Sequence, residues 1–308
     1  MNNEDFIRLA NNFYNFKQQD SNIHRIQTDI EFCNYINDKQ SDLEKKYKVA
    51  FVFICLNPLY WEFASEMIRG AKQFFLPGHK TDFFFWTDIP NDSKEITRRV
   101  REEFGKLGVN VNDYNMLYQD VTINGKNMNI QRIIESIINV RETDNVTIIP
   151  TEPIEWPMPT LLRYNLILQQ EDKLKEYDYI FYCDIDMQFV DVVGDEILGK
   201  GLTAVQQPMY AVRKEWWPPY EPNELSASYI PRPGRVINEN GKQRFMPLYF
   251  AGGLQGGKSE VFIQAMKVMK EMVDKDLAMN YIPICNDETV WNKYCFDNPP
   301  DIVLNPSY

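Results

Sequence analysis

Tyr179-Ile-Phe-Tyr-Cys-Asp-Ile-Asp-Met-Gln-Phe189 is an apolar run that ends directly on two carboxylates. Its first four residues, Tyr179 to Tyr182, have the composition of a strand buried on both faces. Asp184 and Asp186 are two apart, so in extended chain both side chains leave the same face. Open parallel sheets bind ligands beyond the carboxyl ends of their strands. Two aspartates at that edge suit a hard divalent cation that keeps positions open for phosphate oxygens. The plainer alternative is a pair of turn residues closing a strand. Burying two adjacent carboxylates without a cation is costly, because like charges raise each other's pKa.

Upstream, Val49 to Leu56 (VAFVFICL) is a second continuous apolar run and reads as a buried strand. Trp61 to Phe75 has helical periodicity through Phe63, Met67, Ile68, Ala71 and Phe75. Pro77-Gly78 makes a turn, and Asp82 to Thr87 (DFFFWT) is the next strand. Strand, helix, strand begins a parallel, doubly wound α/β sheet. Glu95 to Val140 reads as two helices around a short mixed stretch with a turn at Asn124-Gly125. Val146 to Pro150 is a strand, and Leu161 to Glu176 a helix. Downstream, Pro218, Pro219, Pro222, Pro231 and Pro233 crowd an extended, irregular loop. Gly252, Gly253, Gly256 and Gly257 follow the aromatic strand residues Tyr249 and Phe250. They allow close approach of backbone to a ligand, or a tight turn before a helix over Ser259 to Val273. Residues 1–48 are polar, with Phe6, Leu9, Phe13 and Phe16 at roughly helical spacing. They read as an N-terminal helical preface, or a stem, to a main domain over residues 49–308.

The chain of 308 residues carries 44 acidic and 33 basic side chains, a net charge of −11. That balance disfavours nucleic acid and anionic lipid as partners, although a cation could still neutralise a single diphosphate. The cysteines, Cys33, Cys55, Cys183, Cys285 and Cys295, are odd in number and form no C-x-x-C pair. They read as reduced thiols of a cytosolic protein. The N-terminus is too polar for a signal peptide, and the apolar run Val49 to Leu56 is far short of the ~20 residues of a membrane span. A soluble, cytoplasmic chain is expected. His24 and His79 are too far apart in sequence to suggest a zinc site or a triad.

Four segments in order resemble one family. They are FFLPGHKTDFFFWTD (Phe74 to Asp88), the stretch from Trp156 through Arg163 to Asp191, MPLYFAGGLQGG (Met246 to Gly257), and NDETVWNKY (Asn286 to Tyr294) followed by VLNPSY (Val303 to Tyr308). The chain resembles glycosyltransferase family 6, the histo-blood-group A/B transferases and α-1,3-galactosyltransferases, from about Val49 to Tyr308. The resemblance implies a GT-A fold, a single Rossmann-like mixed sheet flanked by helices. It implies Mn²⁺ (or Mg²⁺), a UDP-sugar donor, and α-1,3 transfer to an oligosaccharide with retention of configuration.

By position, the resemblance puts Asp184 and Asp186 on the metal and Tyr60 near the uracil. Arg163 falls on the donor sugar, where a fixed multi-donor guanidinium suits hydroxyls. Glu288 falls beneath the anomeric carbon, with Asp287 beside it. The chemistry asks for the same types: a carboxylate opposite the leaving group stabilises an oxocarbenium-like centre. Asn286-Asp287-Glu288 also fits a helix start, where acidic residues suit the first turn. Ala251, Gly252 and Gly253 fall in the donor pocket. Small residues there leave room for an acetamido group, which puts UDP-N-acetylgalactosamine first and UDP-galactose second. On the acceptor side Gln207 stands where vertebrate members carry histidine, and Trp216 and Trp217 offer a stacking surface or loop packing. A fucosylated galactoside is one candidate acceptor. Bacterial members often carry Asn-x-Asn in place of the acidic pair and need no metal; keeping Asp184 and Asp186 points to metal dependence. The polar N-terminal stretch and the short apolar runs make a bacterial- or phage-type soluble member the expectation. Residues Val109 to Asp144 include an insertion relative to vertebrate members. Two other readings stay open: a sugar-nucleotide hydrolase or nucleotidyltransferase, and a catalytically silent glycan-binding module.

Overall fold

The computed structural model describes residues 46–110, 120–123, 126–212, 218–231, 235–239, 242–246 and 248–308. The preface over residues 1–45, Trp216, Trp217, Asn124-Gly125, Cys33 and His24 lie outside them. The strands are β1 (Lys48–Cys55), β2 (Lys80–Thr87), β3 (Val121–Ile123), β4 (Lys126–Met128), β5 (Val146–Pro150), β6 (Tyr179–Cys183), β7 (Leu202–Gln206), β8 (Arg235–Glu239), β9 (Lys242–Met246), β10 (Phe250–Lys258) and β11 (Ile302–Leu304). Seven of them form one sheet in the order β11-β7-β10-β6-β1-β2-β5. β1 pairs in parallel with both β2 and β6, with Val49 opposite Thr81 and Tyr179. β10 runs antiparallel to β6 and β7, so the sheet is mixed rather than parallel throughout.

Alternation along β1 divides the core. Val49, Phe51, Phe53 and Cys55 face α1 (Trp61–Phe74), α2 (Ser93–Lys106) and α3 (Ile130–Glu142). Ala50, Val52 and Ile54 face the other layer, where α4 (Met158–Leu161), α5 (Arg163–Leu168) and α6 (Glu171–Leu174) pack with α8 (Ser259–Ala278) and α9 (Asn286–Asp297). A helix α7 (Pro208–Val212) lies between β7 and the proline-rich loop. The result is an α/β/α sandwich. Side chains fix two helix starts: the Asp92 carboxylate accepts from Glu95 N at 3.2 Å, and Asn129 Oδ1 from Gln131 N at 2.9 Å.

Four sequence expectations need correction. The helix expected over Leu161 to Glu176 is three short pieces, α4, α5 and α6. Leu161, Arg163, Tyr164, Leu166 and Ile167 are all buried. At 100° per residue they would occupy every side of one continuous helix, so the chain breaks at Leu162 and Gln170 to bury them. The glycines after Phe250 lie within β10 rather than in a turn. The helix expected to end at Val273 continues to Ala278. A β8–β9 hairpin, with Val236 opposite Phe245, follows the proline-rich loop; sequence reading missed it, although the Asn240-Gly241 dipeptide between its strands is a hairpin signal.

Candidate active site

The carboxyl ends of β1, β2 and β6 share one edge of the sheet. β10, running the other way, brings its first residues there, and α9 starts beside them. A cleft of roughly 440 Å³ opens along this edge, with Tyr60, Arg163, Asp184 and Asp186 on its walls. Asp184 and Asp186 converge by a different route from the one the sequence suggested. The strand ends at Cys183 and the chain turns, Met187 N donating to Asp184 O at 3.3 Å. The pair therefore meets through a turn, not through extended spacing.

Arg163 is the hub. It is 3 % exposed, brought inward by the break at Leu162. Its Nη2 donates to Asp184 Oδ1 at 3.1 Å, and its Nη1 to Gly252 O at 2.9 Å. Nη1 also lies 2.9 Å from Asp287 Oδ2, an ion pair without hydrogen-bond alignment. The guanidinium sits 4.1 Å from the centroid of the Tyr182 ring, whose hydroxyl donates to Asp184 Oδ1 at 2.6 Å. Burial opposes the charge on Arg163, but Asp287 and its other neighbours outweigh it, and the group is held more firmly charged than usual. Asp287 pays for the arrangement: burial pushes its carboxyl up to about 7, Arg163 pulling the other way.

Glu288 is fixed by the strand it faces. Its Oε2 accepts from Gly252 N at 2.9 Å, and burial raises its carboxyl above the usual range. Tyr249 faces Glu288 and Cys285 without an aligned hydrogen bond from its hydroxyl. Neither Asp287 nor Glu288 serves as a cap: the residue preceding the helix is Cys285, with no side-chain cap bond. Between Phe250 and Gln255 the pairing of β10 with β7 shifts register, which leaves the Ala251–Gly253 segment free to meet α9 and the acidic turn. A Cβ at Gly252 would lie 3.2 Å from Glu288 Cβ; one at Gly253 would lie 3.0 Å from Met187 Sδ and 3.2 Å from Asp184 Oδ2. Gly253 O in turn accepts from Asp184 N at 2.8 Å. Glycine here permits the backbone of β10 to touch the side chains of Glu288 and Asp184.

Arg163, Asp184, Asp287, Glu288, Gly252 and Gly253 thus form one connected network, with Tyr60 and Asp186 on the same cleft. Gln207 is next to it: its N donates to Tyr249 O at 2.9 Å, while its Oε1 is engaged by Met209 N at 2.7 Å. Sequence reading missed Asn292. Its side chain accepts from Phe250 N at 2.7 Å and donates to Phe250 O at 2.8 Å and Glu288 O at 2.7 Å. It also missed Gln255, which joins Tyr164 OH at 3.0 Å to Gly252 O at 3.0 Å. His79 is structural, its Nδ1 accepting from Tyr47 N at 3.0 Å and its Nε2 2.8 Å from Asp195 Oδ1. Cys55, Cys183, Cys285 and Cys295 are free thiols.

Among the described residues no three His, Cys, Asp or Glu side chains form a metal cage. The donor set nevertheless fits a hard cation shared with a ligand: Asp186 is exposed on the cleft, and Asp184 turns one oxygen to Arg163 and Tyr182 and the other toward Gly253.

Residues 156–308, which contain every member of this network, match the family model described as Glycosyltransferase family 6. Residues 156–308 belong to glycosyltransferase family 6. Family 6 relatives include the histo-blood group ABO system transferase 1 of Rattus norvegicus, 26 % identical over 251 residues, 81 % of this chain and 57 % of the relative. The globoside alpha-1,3-N-acetylgalactosaminyltransferase 1 of Gallus gallus is 22 % identical over 249 residues, 81 % of this chain and 58 % of the relative. The O-antigen biosynthesis glycosyltransferase WbnI of Escherichia coli is 27 % identical over 165 residues, 53 % of this chain and 65 % of the relative. The chain therefore spans less than two thirds of the length of these family 6 proteins. No helix among its described residues is long and apolar enough to cross a membrane.

Proposed function

We propose that the chain is a retaining hexosyltransferase that moves N-acetylgalactosamine or galactose from a UDP-sugar to a glycan hydroxyl in α-1,3 linkage. The observation that carries this reading is the pairing of Glu288 with the Arg163–Asp184 contact across one bulged strand. Glu288 is a half-buried carboxylate held by Gly252 N–H, and opposite it an acidic turn opens on the cleft. A carboxylate fixed in this way stabilises positive charge developing at an anomeric carbon without having to reorient. It can do so as a nucleophile or as an electrostatic partner. Arg163, already oriented by Gly252 O, Asp184 and Asp287, has the donors to hold sugar hydroxyls in place.

Asp184 and Asp186 would hold Mn²⁺ or Mg²⁺ against the diphosphate, and the cation would offset the charge of departing UDP. Tyr60 would lie against the uracil, and Ala251, Gly252 and Gly253 would border the donor sugar. Gln207, with Trp216 and Trp217, would face the acceptor, for which a fucosylated galactoside is the first compound to try. The small residues of β10 put UDP-N-acetylgalactosamine ahead of UDP-galactose.

The test is release of UDP from each donor, with and without a fucosyl-galactoside, in Mn²⁺ and again in EDTA. Acceptor-dependent release that EDTA abolishes is expected. Release independent of acceptor would favour a sugar-nucleotide hydrolase, and no release with any donor would favour a glycan-binding module.

A further inference from the structure

The segment between β1 and α1 carries Tyr60 and is held in a conformation its sequence resists. Asn57 has φ 94° and ψ 128°, a region that residues other than glycine rarely enter. Such strain persists only where the surroundings over-determine it, and it concentrates at functional sites. Asp88, just beyond β2, supplies the constraint. Its Oδ1 accepts from Asn57 N at 3.2 Å and from Trp61 Nε1 at 3.0 Å, gripping both ends of the Tyr60 segment.

Asp88 is itself gripped from α2. Arg99 Nη2 donates to Asp88 Oδ2 at 2.5 Å, Nη1 donates to Asp88 O, and the guanidinium lies 5.1 Å from the Trp61 ring centroid. One planar fork thus holds the carboxylate and the carbonyl of the same residue, a geometry lysine cannot reproduce. Arg99, Asp88, Asn57 and Tyr60 all line the cleft that contains Asp184 and Asp186. Arg99 lies outside residues 156–308, so the family match assigns it nothing.

We propose that Arg99 is a positioning residue for the nucleotide end of the cleft: by clasping Asp88 it keeps the strained Asn57 turn, and with it Tyr60, in the arrangement that receives the base of a uridine nucleotide. This rests on reading the cleft as a UDP-sugar site. The effect acts on base binding and not on the chemical step, so Arg99 governs donor affinity while Glu288 and Arg163 govern turnover.

Calorimetry with UDP in Mn²⁺ and with UMP in EDTA tests it. Arg99→Gln is expected to weaken both nucleotides by a similar factor, about tenfold or more, because the lost constraint lies at the base they share. Donor KM should rise with it while kcat changes less than about threefold. A folded Arg99→Gln protein with unchanged affinity for both nucleotides overturns the proposal. So does a loss confined to UDP with Mn²⁺, which would move the effect to the diphosphate. Should Arg99→Gln unfold at the assay temperature, Arg99→Lys is measured instead. Weakening of both nucleotides then supports the clasp, and wild-type affinity overturns it. Wild-type protein that binds neither nucleotide overturns the reading of the cleft, a failure distinct from equal binding by wild type and variant.

Discussion

Asp287, which is buried, and Glu288, which is half-buried, are adjacent and chemically alike, yet their surroundings separate them. Glu288 accepts a backbone N–H from Gly252, whereas Asp287 has only an unaligned contact with Arg163. Glu288→Gln keeps the shape but removes the charge, so donor binding should persist while transfer falls about 10³-fold or more, as for a group acting mainly in the transition state. Unchanged turnover would remove Glu288 from the chemistry. For Asp287 the carboxyl rises from 3.8 in model peptides to about 7. The native state holds this proton more tightly than the unfolded chain. Its contribution is therefore fully present below pH 3.8 and is lost as pH rises through about 7. Asp287→Asn cannot ionise, so its stability should gain on wild type as pH rises between those values, by an amount on the order of a few kcal/mol. Urea midpoints of both proteins across that window measure it, and a constant difference would show no linkage. These two carboxylates, the acidic pair and Arg163 were legible because each sits in a short motif with its neighbours. Asp88 and Arg99 were not, since their roles come from contacts with Asn57 and Trp61 that no local spacing encodes.

The elements of the site are joined by side chains that imitate backbone. Asn292, one turn after Glu288 in α9, pairs with both the N–H and the C=O of Phe250, as a neighbouring strand would. Phe250 pairs with Gln206 of β7 before the register shifts toward Gln255, and Asn292 supplies the partners of the Phe250 N–H and C=O. Asn292→Ala would leave two buried backbone groups unpaired, with an expected loss of about 2–4 kcal/mol read from a lower urea midpoint at unchanged slope. Glu221 performs an equivalent task in the proline-rich loop. Buried after the proline pair, it accepts from Tyr281 OH at 2.5 Å and Ile284 N at 3.0 Å, tying its loop to the segment that leads into α9. Strands β1, β2 and β6 were readable because residues buried on both faces make unbroken apolar runs. The broken α4–α6 segment was not, because its apolar residues are dense enough to suit a continuous helix, and only the inward placement of Arg163 shows why one does not form. The glycines after Phe250 left two readings open, close backbone approach or a tight turn, because glycine suits both; here they admit close packing against Asp184 and Glu288.

At the scale of the whole molecule the electrostatics oppose the ligand. The chain carries a net charge of −11, and Arg163, the cation at the centre of the network, is already committed to Asp184, Asp287 and Gly252 O. Arg99 and Lys106, which also line the cleft, are paired with Asp88 and Glu103, so a nucleoside diphosphate entering beside Asp184 and Asp186 meets like charge at close range, while attraction from more distant cations is screened within about 10 Å at ordinary ionic strength. If the acidic pair shares a divalent cation with the diphosphate, UDP and Mn²⁺ should stabilise the fold together far more than separately. At about 100 times the dissociation constant the ternary complex gains roughly 2.7 kcal/mol, a rise in unfolding temperature of about 3–8 °C for a chain of this size. UDP in EDTA, or Mn²⁺ without UDP, should raise it by a small fraction of that. Asp186 is exposed on the cleft, so Asp186→Asn should leave the temperature of the free protein unchanged and abolish the joint effect. Equal stabilisation by UDP with and without Mn²⁺ would instead mean that the chain's own cations suffice to carry the diphosphate, with Asp184 and Asp186 serving only to shape the turn.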